Sequence, residues 1–119
     1  MLLTEGNTKR IDCMAQVLPI RDALDVIGGK WKVLVLSAIM QGNRRFGEIQ
    51  TSVPDINPKV LAQELKDLEQ HQLIRRTVRE DEYPVRIEYT ATEYARTLKK
   101  VMLELHAWGL DHRKRVFGK

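Results

Sequence analysis

RFGEIQTSVPDINPKVLAQELKDLEQ, residues 45–70, followed by LIRRTVREDEYPVRIEYT, residues 73–90, decides how this chain folds. Phe46 and Ile49 give a first short helix one small apolar face, and Pro54-Asp55-Ile56 breaks it. Asn57 is a good N-cap, because its side-chain oxygen can accept from an unpaired N–H of the first turn. Pro58 suits the next position, where no N–H is needed. A second helix is expected from there to about His71. Leu73 to Arg79 and Val85 to Tyr89 then read as two strands, joined by Glu80-Asp81-Glu82-Tyr83-Pro84.

Helix, tight turn, helix and charged hairpin, in that order, is the pattern of a winged helix-turn-helix. Such a module presents one helix to the DNA major groove and a β-wing beside it. The expected fold is mainly α with a small β-hairpin, with added N- and C-terminal helices. The recognition helix would span 57–70 and the wing 73–90. On a helical wheel Leu61, Leu65 and Leu68 fall within about 60° of one another and form the buried stripe. Lys59, Gln63, Lys66 and Gln70 fall about 140° to 200° from Leu61, with Glu64, Asp67 and Glu69 on the flanks. An outward face with lysines and amides but no acid suits a phosphate-rich groove. Lysine neutralises phosphate, and glutamine can pair with the N6 and N7 edge of adenine. The same face could equally be a solvated one, and its place after a helix and a turn is what favours DNA.

Outward from this stretch, residues 1–17 read as a polar, partly flexible leader, and 18–119 as one domain. Pro19 is expected to open a helix carrying Ile20, Ala23, Leu24 and Ile27, stopped by Gly28-Gly29. KWKVLVLSAIMQ is apolar nearly all round and reads as the central helix, with Trp31 and Ser37 in the core. Thr90 with Glu93, or else Thr92, would cap a last helix over about 92–117. Its residues Leu98, Val101, Met102, Leu105 and Trp108 share one apolar face that follows a complete small domain, so a partner copy is expected to cover it.

The chain has 119 residues, 43% hydrophobic and 30% charged, which fits one globular domain with a real core. No apolar run approaches the roughly 20 residues of a membrane span. The first residues lack a secretory pattern, so a cytoplasmic location is expected. The net charge of +4 mildly favours a polyanion. It divides as +1 over residues 1–56, −1 over 57–89 and +4 over 90–119, so bulk charge does not mark the helix-turn-helix. The acids Glu80, Asp81 and Glu82 at the hairpin turn must either point away from a duplex or pair with Arg79 and Arg86.

These residues resemble the HxlR-type family of winged helix-turn-helix bacterial regulators. The matching pieces are Ile27-Gly28-Gly29-Lys30-Trp31, Arg45-Phe46-x-Glu48-Ile49 and Ile56-Asn57-Pro58-Lys59-Val60-Leu61, continuing through Glu64 to Glu69. Pro84-Val85, Glu88-Tyr89 and the late Trp108 complete the set. The resemblance implies a homodimeric repressor or activator, with dimer contacts from the first and last helices and a pseudo-palindromic operator. It places DNA contact on the helix from Asn57 to Lys66 and on the hairpin from Arg79 to Arg86. The candidate DNA contacts are Arg44, Arg45, Asn57, Lys59, Val60, Gln63, Lys66, Arg79 and Arg86. The candidate dimer contacts are Leu98, Met102, Leu105 and Trp108. A small-molecule effector of unidentified chemistry is a further expected partner.

Many members of the family carry a redox-sensing cysteine directly before the proline of the first helix, where this chain has Leu18. Its single cysteine, Cys13, lies five residues earlier between Asp12 and Met14, with no adjacent cation to favour a thiolate. Cys13 therefore reads as an ordinary thiol, with redox sensing as the alternative. Catalysis is not expected: His71, His106 and His112 are scattered, no phosphate loop or nucleophile elbow occurs, and a lone cysteine makes no zinc site. No cofactor or metal is expected. The competing class is a winged helix that binds protein and not DNA.

Overall fold

The computed structural model describes residues 10–118, and their side chains from Ala15 onward. In chain order the elements are α1 (Arg10–Ile27), α2 (Lys32–Met40), α3 (Phe46–Ser52), α4 (Pro58–Gln70), β1 (Ile74–Arg79), β2 (Arg86–Ala91), α5 (Glu93–Arg96) and α6 (Lys99–Phe117). The strands pair antiparallel, from Ile74 opposite Ala91 to Arg79 opposite Arg86. This is the mainly α winged helix-turn-helix with an added helix at each end.

The core is built around α2, whose Val35, Leu36, Ala38 and Ile39 are buried. Ile49 of α3, Leu61, Leu65 and Leu68 of α4, and Leu73 and Ile74 of the hairpin close over it. Ser37 is half-buried rather than a core residue, and Leu34 is exposed, so the all-round apolar helix is covered on most sides but not all. Trp31 is half-buried against the core, with the Lys30 ammonium 4.8 Å from its ring centroid.

A tight helix stop sets the angle between α4 and the hairpin. Gln72 takes a left-handed conformation (φ 64°). Its N–H reaches the Glu69 carbonyl at 2.9 Å, and the Leu73 N–H reaches that of Leu68 at 3.0 Å. These are the two bonds of the Schellman motif, with the buried pair Leu68 and Leu73 as its apolar contact.

Two expectations about the terminal helices need correction. The helix expected to open at Pro19 already runs from Arg10, with Pro19 inside it, so residues 10–17 are helical rather than leader. Proline lacks one helix N–H and crowds the carbonyl four residues back. Good helix formers on both sides, and the exposed position of Pro19, let the helix pass through it. Residues 1–9 lie outside the described residues. At the other end, the single helix expected over 92–117 is two. Thr92 is the cap, its hydroxyl accepting from the Ala95 N–H at 3.2 Å, and Thr90 lies in β2. The helix then tightens at Thr97 and Leu98, whose N–H groups bond three residues back to Tyr94 and Ala95, each at 3.1 Å. The Thr97 hydroxyl also donates to the Tyr94 carbonyl at 2.6 Å. Competition of this kind from a threonine hydroxyl bends or ends a helix turn.

Neither terminal helix has much of a core. Of the described α1 side chains only Ile27 is buried, and α6 buries none.

Candidate nucleic-acid interface

Local chemistry starts α4 where the sequence places it. The Asn57 side chain accepts from the Lys59 N–H at 2.7 Å, and Pro58 occupies the first turn. With Leu61, Leu65 and Leu68 buried, Lys59, Gln63, Lys66 and Gln70 are all exposed on the opposite face. Among the described residues neither Lys59 nor Lys66 has an ion-pair partner. Val60 is half-buried and packs against the core, so among the α4 candidates it is the one turned toward the protein.

Two of the three flanking acids of α4, Glu64 and Asp67, are not free, and Glu69 is exposed. Lys32, from the start of α2, places its ammonium 3.3 Å from Glu64 and 3.4 Å from Asp67, with only 16% of its side chain exposed. Partial burial shields these pairs from salt more than an exposed pair would be. The second oxygen of Asp67 accepts from the Gln63 amide nitrogen at 3.0 Å. Lys32, Asp67 and Gln63 thus form a chain from the body of the fold to the outward face. It offsets part of the negative charge of two carboxylates beside that face and orients the Gln63 amide, with its oxygen and second N–H left to pair. Sequence reasoning missed Lys32, since nothing local marks a lysine as the partner of acids more than thirty residues on.

At the entry to α3 the Glu48 carboxylate reaches back to the N–H groups of Arg44 (3.0 Å) and Arg45 (3.2 Å). The Arg44 N–H, then that of Arg45, hold the Glu48 carboxyl below its ordinary range. A carboxyl depressed in the fold contributes stability that is complete above its unfolded pKa and is lost as pH falls through the lowered value. The Arg44 carbonyl accepts from the Tyr89 N–H at 2.7 Å, which ties this turn to the wing. Both arginine side chains are exposed.

In the wing, Arg79 pairs with Glu88 at 3.2 Å and Arg86 with Glu82 at 3.4 Å. Of the three turn acids only Glu82 takes up one of these arginines, whereas Arg79 pairs with Glu88 of β2. The two wing arginines proposed for DNA are therefore engaged within the hairpin, while Glu80, Asp81 and the fully exposed Tyr83 occupy the tip. Arg75 and Arg76, nearer the base, are exposed. The candidate dimer residues divide as well. Leu98 packs against the chain's own core, Met102 is half-buried, and Leu105 and Trp108 are exposed. The Trp108 ring stacks on His112, with centroids 4.9 Å apart. Cys13 lies in α1, but its side chain is outside the described residues.

Comparison with known proteins agrees with this geometry. The model of the HxlR-like helix-turn-helix family matches residues 26–117. The HTH-type transcriptional regulator YtcD of Bacillus subtilis is 38% identical over 101 residues, 85% of this chain and 79% of that protein. YodB of the same organism, also an HTH-type transcriptional regulator, is 38% identical over 89 residues, 75% of this chain and 79% of its own. Among solved structures, the redox regulator HypR in its reduced form superposes with a TM-score of 0.76 at 34% identity, covering 85% of this chain and 99% of HypR. Reduced YodB gives 0.70 at 35% identity over 82% and 91%. No enzymatic family is indicated, and no described helix is long and apolar enough to cross a membrane. The acid-free helix face, the hairpin beside it and the extent of these matches lead to one conclusion: this chain belongs to the HxlR-like helix-turn-helix family of transcriptional regulators.

Proposed function

We propose that the protein is a sequence-specific DNA-binding regulator that acts as a homodimer in the cytoplasm on a pseudo-palindromic operator. The observation that carries this reading is the outward face of α4. Lys59 and Lys66 stand clear there, Gln63 is oriented by Asp67, and Lys32 holds Asp67 and Glu64. Two such helices related by a two-fold axis would address half-sites about one helical turn of DNA apart, roughly 34–36 Å. Exposed apolar side chains on both terminal helices support the dimer: Val17, Leu18 and Leu24 on α1, Leu105 and Trp108 on α6. The pairing of the wing arginines within the hairpin supports a reading in which most of the phosphate contact falls to α4 and to Arg44 and Arg45.

Affinity and specificity are expected to separate on α4. Gln63→Ala should relax preference at one or two base pairs, costing about 1–3 kcal/mol on the cognate site and little on random DNA. Lys66→Ala should weaken both duplexes alike and flatten the salt slope by about one unit. Fluorescence-anisotropy titrations of both variants on cognate and scrambled duplexes, at several salt concentrations, measure this. Wild-type binding without salt dependence would favour the protein-interaction reading, and no change in either variant would remove α4 from the groove.

A second reading, thiol-based redox sensing, is favoured by the name of one relative, the redox regulator HypR. On the present reading Cys13 is not the switch, because the position before Pro19 is Leu18. Cys13→Ser should bind the operator as the wild type does and respond to diamide or a quinone no differently. A release from DNA induced by oxidant in the wild type, and lost in the serine variant, would restore the redox reading.

A further inference from the structure

On the edge of the sheet, where the end of α2, the base of β2 and the start of α6 converge, lies a groove of about 560 Å³. That is within the roughly 300–1,000 Å³ typical of small-molecule sites. Ile39 and Met40 form an apolar floor, with Tyr89 beside them, and Arg44, Arg96 and Lys99 bring three cations to it. No acid lines the groove. The contact of Arg96 with Glu93 is long, at 3.8 Å, and exposed, so it offsets little of that charge.

The three cations come from parts of the fold that are held differently. Arg44 is tied at both of its main-chain groups, to Glu48 and to Tyr89. Arg96 ends α5 and Lys99 begins α6, on either side of the tightened turn at Thr97 and Leu98. We infer that the groove binds a small organic monoanion with an apolar body, of the aromatic carboxylate class. Its carboxylate would lie among Arg96, Lys99 and Arg44, and its ring over Ile39 and Met40. Arginine takes a carboxylate through two parallel N–H bonds, and methionine adapts to an apolar body of varied shape. A neutral apolar molecule would leave the cations uncompensated, and an inorganic anion would leave the floor wet.

Occupancy would also have a consequence for regulation. A bound anion joins the first turn of α6 to the α2–α3 connection, and so biases the direction of the terminal helix relative to α4. In a dimer that direction sets the spacing of the two recognition helices, so ligand affinity and operator affinity become linked and reciprocal. This consequence rests on the DNA-binding dimer proposed above, whereas binding in the groove does not.

The test is calorimetric titration of the full chain, without DNA, with 2-naphthoate, its neutral analogue 2-naphthalenemethanol, and sulfate. The naphthoate should saturate at one per chain, at least tenfold more tightly than either of the others. Arg96→Gln and Lys99→Gln, both at exposed positions, should each weaken naphthoate about tenfold and leave the alcohol unchanged; Arg115→Gln, elsewhere on α6, should change nothing. Equal binding of naphthoate and alcohol, sulfate binding as tight as naphthoate, or wild-type naphthoate affinity in both groove variants would overturn the proposal. So would a reduced salt slope for DNA in those two variants with naphthoate binding intact, which would make the cations phosphate contacts. Naphthoate binding with no operator binding by the same protein would leave the groove in place and sink the DNA-binding reading instead.

Discussion

Trp108→Glu is expected to turn the protein from a particle of twice 13.8 kDa into one of a single chain mass. The physical reason is the composition of α6. It buries none of its side chains within the chain, yet exposes Val101, Leu105 and Trp108 on one side and Leu103, Leu110 and Phe117 on another. Trp108 is 68% exposed, and among the described residues only the His112 ring stacks on it. Contiguous apolar surface of this kind marks an interaction site, and large aromatics dominate the energy of such interfaces. A carboxylate at that position would have to be desolvated without a partner, at a cost of several kcal/mol. Operator affinity should fall with the mass, on the order of a hundredfold, because the second half-site is no longer held near the first. Light scattering at micromolar protein, with anisotropy on the same samples, measures both. A monomeric wild type would sink the dimer, and a dimeric Trp108→Glu would move the interface off this face.

Leu61→Ala should lower stability by about 2–5 kcal/mol, the usual range for emptying a fully buried leucine site. For a domain of this length that corresponds to a melting temperature lower by roughly 10–20 °C. Leu61 is the first residue of the stripe that fastens α4 to α2, and none of its surface is exposed. Since natural domains retain only about 5–15 kcal/mol, much of the chain could be unfolded at physiological temperature. Gln63→Ala, two residues on and facing solvent, should leave the melting temperature within about 2 °C of the wild type. Thermal unfolding followed by circular dichroism on the pair distinguishes the face that holds α4 from the face it offers. Equal and small effects would mean that α4 is not anchored by this stripe.

The parts of the protein legible in its sequence are those governed by near neighbours along the chain. Asn57-Pro58 starts α4 because a cap and a missing N–H act within one turn, and Leu61, Leu65 and Leu68 share a face because of helical spacing. Val85 to Tyr89 anticipates β2 with both ends displaced, the strand running from Arg86 to Ala91. The family was legible as well, since its motifs are short and keep their order. Pro19 misled because a proline permits both a helix start and an exposed interior position, and only the helical residues on both sides decide between them. Side-chain partners across the fold left no mark in the sequence: Lys32 with Glu64 and Asp67, Arg79 with Glu88, or the meeting of Met40, Arg44, Arg96 and Lys99 around one groove. Periodicity and capping are short-range and repeat along the chain, whereas these pairings depend on the distances between elements, which only the packing of α2 against its neighbours sets.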